Sequence, residues 1–167
     1  MAEKEICIPQ LTTLGYIEKE DSYLMMHRVS KKNDLNQGKW IGIGGKVEKG
    51  ESPLECMKRE CLEETGLDWK NPVLRGVITF NFCRNSQLLD SEIMFLYHGT
   101  EFSGEIRDCS EGVLEWIAIE EIPSLPLWKG DLLFLEKMRT EPGCFEMRLD
   151  YEGDDLIYAS FNGKRII

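Results

Sequence analysis

The stretch from Gly44 to Leu67 reads GGKVEKGESPLECMKRECLEETGL and carries six glutamates in 24 residues. A helix is marked out inside it. Ser52 is suited to the N-cap and Pro53 to the first helical position, while Glu55, three residues after the serine, completes a capping box. Gly66 closes the helix as the residue that takes the left-handed conformation. At about 100° per residue, Leu54, Met57, Cys61 and Thr65 share one face, which is expected to pack on a sheet. Glu60, Glu63 and Glu64 fill the adjoining arc, about 100° wide by the same geometry. Like charges at this spacing repel by roughly 0.2–0.5 kcal/mol per pair. Such a cluster is either a solvated acidic face or an oxygen-donor site for a hard cation such as Mg²⁺. The helix alone leaves both readings open.

Outward from the helix the chain alternates extended and polar segments. Gln10 to Glu18 and Ser22 to Val29 read as strands around the turn EDS, and Ser30 to Gly38 is a polar loop. Trp40 to Val47 is a short extended region interrupted by glycines. Val73 to Arg84 and Glu92 to Phe102 are rich in β-branched and aromatic residues, with the turn cluster NSQLLDS between them. Val113 to Ile119 is a further strand, and Gly130 to Thr140 has helical spacing. Cys144 to Asp150 and Leu156 to Phe161 read as a closing hairpin around Glu152-Gly153-Asp154. Strands before, between and after two helices predict a single α/β (α+β) domain over residues 1–167, with a mixed sheet and helices on its faces.

The net charge of −10 argues against a nucleic-acid polymer as partner, since that needs a basic face. It leaves room for a nucleotide, because divalent ions held by carboxylates bridge acidic protein to phosphate. The six cysteines (7, 56, 61, 83, 109, 144) form no CxxC pair and read as reduced intracellular thiols. The start MAEKEICIPQ has no apolar h-region and no long uncharged run follows, so a soluble cytoplasmic protein without membrane contact is expected. His27 and His98 have no nucleophile or ligand partner at a recognisable spacing and read as structural. Trp69 reads as a packing residue.

The wider spacing is more specific. From Gly45 come five residues to Glu51, seven more to Arg59-Glu60, two to Glu63-Glu64 and one to Gly66, with Cys61 and Leu67 at apolar places. This resembles the signature of the Nudix hydrolases at every fixed position; at average residue usage, a chance match has a probability on the order of 10⁻⁸ per start. The resemblance implies an α/β/α sandwich and metal-dependent hydrolysis of a nucleoside diphosphate linked to another group. It makes Glu60 and Glu64 the principal ligands of Mg²⁺ (or Mn²⁺), with the carbonyl oxygen of Gly44 beside them. Glu63 binds a further ion or helps activate water, and Glu51 and Arg59 orient the cluster. Gly44 and Gly45 let the backbone turn sharply and approach the ion, and Gly45 and Lys46 face the substrate. Glu111 in CSEGVLEW, five residues before Trp116, matches a metal-binding or water-activating glutamate.

Beyond the signature, the likeness runs through Val73–Phe80 (VLRGVITF) and Glu111–Asp131 into the terminal hairpin, and is similar to the MutT-type bacterial 8-oxo-dGTP diphosphatases. It implies release of pyrophosphate from a small-molecule nucleoside triphosphate, by a monomer or small homo-oligomer. Trp128 and Asp131 stand where that group reads the base; by themselves they read equally as a core residue and a helix cap or first-turn acid. Arg28, Lys31, Lys32 and Lys39 flank the polar loop, and Arg28 is the first choice among them for the triphosphate. Ile43 stands where many members carry proline. Gly130 and Ile41 stand where the animal enzymes carry a second acid and an asparagine, so base contacts must differ in part. ADP-ribose or a dinucleoside polyphosphate is the alternative substrate. A binding module that had lost catalysis would lack some of the carboxylates, and none is missing.

Overall fold

The computed structural model describes residues 8–29 and 32–167; Cys7, Ser30 and Lys31, discussed above, lie outside them. In chain order the elements are β1 (Gln10–Lys19), β2 (Ser22–His27), β3 (Trp40–Ile41), α1 (Pro53–Thr65) and β4 (Asp68–Trp69). Then come β5 (Val73–Arg84), β6 (Gln87–Gly99), β7 (Phe102–Ser103), β8 (Val113–Ala118) and a 3-10 turn (Ile119–Ser124). The helix α2 (Lys129–Thr140) and the strands β9 (Phe145–Glu152), β10 (Asp155–Phe161) and β11 (Lys164–Arg165) complete the chain.

Consecutive apolar residues explain the layering. Successive side chains of a strand point to opposite faces, so a strand apolar at adjacent positions needs cover on both sides. In β1, Tyr16 joins a cluster with Tyr23 and Met25, whereas Ile17 joins another with Leu24 and Met26. Helix α2 closes the first cluster through Phe134, Leu135 and Met138, and α1 closes the second through Met57 and Cys61. The result is the expected mixed sheet between helices. Among the described residues its strands run β11-β10-β9-β5-β6-β1-β2-β3, with β8 beside β2. β1 is parallel to β6 and β5 is parallel to β9; the other pairs are antiparallel.

The feature that positions the site is a split in this sheet. β1 and β2 pair at their hairpin end, Glu18 with Tyr23 and Lys19 with Ser22, and β2 then pairs with β8 and β3. The glycine segment before α1 takes the edge of β1 further along. Thr13 N–H donates to the Gly45 carbonyl (2.8 Å), and Gly15 and Ile43 exchange both backbone bonds (2.6 and 2.9 Å). The chain ahead of α1 is therefore held as an extended segment.

Four expectations need correction. The NSQLLDS segment is not a loop: Asn85 and Ser86 alone make the turn, both with positive φ (50° and 63°), and β6 starts at Gln87. Two left-handed residues match the twist of the flanking strands, which lets the ladder run to the tip. The second strand ends at His27 and β3 has only two residues. β6 stops at Gly99, and Phe102–Ser103 pairs separately with Asp68–Trp69. Leu54 is 43% exposed, because it lies in the first turn, and Cys56 is buried under the glycine segment instead.

Candidate active site

Helix α1 begins as its residues require. Ser52 Oγ accepts the Glu55 N–H (3.1 Å), the Glu55 carboxylate accepts the Ser52 N–H (3.2 Å), and Gly66 caps the far end at φ 81°. The burial of its acids follows the helical wheel. Glu64, next to Met57, is 8% exposed; the Glu60 side chain, one step round, is 16% exposed; that of Glu63, at the edge of the arc, is 61% exposed. The cluster is thus a graded wall and not a solvated stripe.

Arg59 donates hydrogen bonds to three of the acids and pairs more loosely with a fourth, Glu48 (3.7 Å). Its Nε and Nη2 clasp Glu51 (2.6 and 3.1 Å), while Nη1 donates to Glu60 (2.8 Å) and Glu63 (3.2 Å). A further hydrogen bond, Nη2 to the Lys46 carbonyl (3.1 Å), ties the group to the glycine segment. The fork geometry of guanidinium makes this bracing possible. The Arg59 hydrogen bond, aided by the Glu48 N–H, pulls Glu51 down to about 2. Glu60 and Glu64 behave in the opposite way. Burial raises Glu60 despite Arg59, and burial with the charges of Glu111 and Glu60 pushes Glu64 up to about 9.

Gly44 and Gly45 carry this wall for a reason other than the sharp turn expected of them, since neither has a positive φ. A Cβ on Gly44 would stand 1.9 Å from the Thr13 carbonyl oxygen, and one on Gly45 would stand 2.5 Å from the Glu60 carboxylate. Gly44 N–H donates to Glu64 (3.2 Å). The Ile43 and Gly45 carbonyls are taken by amides of β1, whereas that of Gly44 accepts nothing from the described residues. Glu111 reaches the same place from the loop before β8. Its charge is one of those that raise Glu64, and it accepts from Arg28 Nη1 (3.0 Å), whose Nε is held by Asp34 (2.7 Å). Among the described residues no three such side chains stand at chelating distance of one point. The donor set nevertheless fits a hard divalent ion, whose charge would offset the repulsion from Glu111 and Glu60 that, with burial, raises Glu64.

These acids form one end of a cavity of about 840 Å³, within the usual size for a ligand site. The other end is lined by Phe80, Phe82, Met94, Trp128, Asp131 and Tyr151. Trp128 is 7% exposed and sits at the N-terminus of α2 without capping it. Its Nε1 donates to Asn36 Oδ1 (2.7 Å), its ring and that of Tyr151 meet edge to face (5.1 Å between centroids), and the Lys39 ammonium lies 4.4 Å from its ring centre. Asp131 lies in the first turn and does not cap the helix. It is 4% exposed, and no donor among the described residues bonds its carboxylate. A helix N-terminus favours the ionised form, but burial, followed by the charge of Glu92, wins and pushes Asp131 up to about 8. Glu92 and Tyr151 were not singled out from the sequence. The period-two pattern of β6, with Glu92 on the face of Met94 and Leu96, is the signal that marks the former. Lys46 and Lys32 are exposed, while His27 stacks on Trp40 (4.5 Å) and His98 pairs with Glu18 (2.9 Å).

The buried Asp131 has a consequence for stability. Its folded pKa is raised above the unfolded value of 3.8. Its contribution is therefore intact below about pH 4 and is lost as pH rises towards 8. Asp131→Asn, which does not titrate, is expected to gain stability relative to wild type across that range, by on the order of a few kcal/mol. Urea denaturation of both proteins at pH 5 and pH 8 measures the difference, and a pH-independent gap would contradict it.

Comparison with known proteins agrees with this geometry. The NUDIX domain pattern matches residues 9–138. An uncharacterized Nudix hydrolase of Bacillus subtilis, YvcI, is 29% identical over 143 residues, spanning 85% of this chain and 87% of that one. The oxidized purine nucleoside triphosphate hydrolase of Danio rerio is 32% identical over 127 residues, 76% of this chain and 79% of its own. Among solved structures, the mutator MutT protein of Bacillus halodurans has a TM-score of 0.83 at 29% identity, covering 93% of this chain and 99% of that one. With most of its length matched by the domain pattern, the chain belongs to the Nudix family and is a hydrolase of the MutT type.

Proposed function

We propose that the protein is a Mg²⁺-dependent nucleoside triphosphate pyrophosphohydrolase that converts 8-oxo-dGTP to 8-oxo-dGMP and pyrophosphate, cleansing the nucleotide pool. The observation that carries this reading is the continuity of the cavity. Its acidic end joins an aromatic end that contains the buried Asp131, whose carboxylate takes no hydrogen bond from the described residues, so one ligand with phosphates at one end and a planar hydrogen-bonding base at the other fills both. The oxidized purine nucleoside triphosphate hydrolases of Danio rerio and Mus musculus, 32% and 36% identical over the matched residues, support it.

In this reading Glu60, Glu64, the Gly44 carbonyl and Glu111 would hold the divalent metal, with Arg59 and Glu51 keeping the carboxylates in place. When bound, such an ion lowers the pKa of water and neutralises charge on phosphate oxygens. Glu63 and Glu111 are the carboxylates available to take the proton of the attacking water. Arg28, held by Asp34 and Glu111 at the cavity wall, would face the triphosphate, with Lys46 and the Gly45 backbone flanking the phosphates. Trp128 stacks on the base and Asp131 pairs with its edge. Water adds to the β-phosphorus, the bond to the α–β bridging oxygen breaks, and that oxygen leaves with the monophosphate.

Hydrolysis in ¹⁸O-water is therefore expected to label pyrophosphate and leave the monophosphate unlabelled; label in the monophosphate overturns the site of attack. A panel of 8-oxo-dGTP, dGTP, CTP, ADP-ribose and a dinucleoside polyphosphate tests the substrate. Two monophosphates from ADP-ribose at the highest kcat/KM would replace the triphosphate reading.

A further inference from the structure

The aromatic end of the cavity contains a second acid. Glu92 of β6 is paired in register with Gln10 of β1 and Phe80 of β5, and alternation puts it on the face of Met94. Thr12 Oγ1 donates to its Oε1 at 2.5 Å, which fixes the carboxyl while leaving Oε2 without a donor among the described residues. Both Glu92 and Asp131 line the cavity. They are close enough to interact, since the Glu92 charge is the cause that, after burial itself, raises Asp131.

The start of α2 has no room for such a group. A Cβ on Gly130 would lie 2.5 Å from the Tyr151 hydroxyl and 2.6 Å from Leu149 Cδ1, and the Gly130 N–H donates to that hydroxyl (2.8 Å). Any acid acting with Asp131 must therefore come from another wall, and Glu92 supplies it from the sheet. An aromatic slot with acceptors on two walls suits a base that offers donors on more than one edge. Guanine offers N1–H and the 2-amino group on one edge; oxidation at C8 adds N7–H on the opposite edge, where guanine itself has a lone pair.

We propose that Glu92 is a specificity-determining residue, accepting a hydrogen bond from an N–H of the purine base that lies against Trp128. The inference rests on the triphosphate reading above. A carboxylate aimed at N–H accepts it and repels a lone pair at the same place, so Glu92 favours donor-rich purines over those with fewer donors.

The test uses Glu92→Gln, which keeps the shape and an oxygen for Thr12, and Glu92→Asp, which withdraws the carboxylate by one methylene. For each, kcat/KM is measured with Mg²⁺ on 8-oxo-dGTP, dGTP and dATP, and the affinities for 8-oxo-dGMP and dGMP are measured by calorimetry in EDTA. The expected result is a change of about tenfold or more in the ratio between 8-oxo-dGTP and dATP. The monophosphate affinities should shift in the same sense, and the melting temperature should not fall in Glu92→Gln. An equal loss on all three nucleotides, or no loss, overturns the role of Glu92 while the triphosphate reading stands. A wild type that turns over none of them overturns that reading, and this inference with it.

Discussion

Glu64→Gln and Glu60→Gln are expected to lower kcat on the order of 10²–10³-fold, as removal of a charge-stabilising group does, while leaving the fold intact. The change keeps the length and helix propensity of each side chain, and Gly44 N–H retains an acceptor at position 64. Stability should move the other way. Burial with the charges of Glu111 and Glu60 pushes Glu64 up to about 9, above its unfolded value of 4.5. In the metal-free protein its stabilising contribution is therefore complete at low pH and is lost as pH climbs towards 9. At pH 7.5 in EDTA, Glu64→Gln should melt no lower than wild type. Adding Mg²⁺ should reverse the order, because an ion that binds only the folded form stabilises the protein that holds it. Melting curves with and without Mg²⁺, together with turnover, check both halves. Near-full activity in either variant would remove these glutamates from the site.

Arg59→Ala would not be equivalent, because it leaves Glu51, Glu60 and Glu63 without their shared counter-charge. A brace and a ligand fail differently. Losing the brace would disorder the carboxylates, whereas losing one of the proposed ligands would weaken binding of the ion and preserve the wall.

The parts of this molecule that are legible in the sequence are those settled within one turn of helix or one strand. Ser52, Pro53, Glu55 and Gly66 determine the ends of α1 by contacts three or four residues away, so their pattern is sufficient. The alternation at Tyr16–Ile17 and Tyr23–Leu24–Met25–Met26 announces a strand covered on both faces. What escaped reading depends on partners far along the chain. Leu54 has an apolar side chain at a buried angle, yet no layer reaches the first turn of α1. The two-residue pairing of Asp68–Trp69 with Phe102–Ser103 is too short to leave a periodic trace. Glu92 looks like an ordinary charge in a strand until the register sets it beside Gln10 and Phe80, on the wall of the cavity that Asp131 also lines. Trp128 and Asp131 were ambiguous for a similar reason. A buried tryptophan and a first-turn acid are common, and only the three-dimensional course of α2 turns both into one cavity.

That shared cavity lets the two residues be separated experimentally. Trp128→Ala is expected to lower kcat/KM for 8-oxo-dGTP, dGTP and dATP together, by roughly 5–150-fold, because base stacking worth ~1–3 kcal/mol is indifferent to the base edge. Part of the loss will be structural, since the change strips Asn36 of its indole donor and leaves a void against Tyr151. Trp128→Phe removes the donor but retains a stacking face, so activity that recovers in the phenylalanine variant assigns the loss to stacking. Asp131→Ala should act by selection. It removes an acceptor that no donor among the described residues occupies, so the folded protein loses little and the substrate loses a specific partner. A site built to bond a polar group discriminates through what it leaves unpaired. The preference for 8-oxo-dGTP over dATP should fall by about tenfold or more, with the metal dependence of the remaining activity unchanged. Equal losses on all three nucleotides would reduce Asp131 to a buried first-turn acid, and retention of full activity in Trp128→Ala would move the base out of the aromatic end altogether.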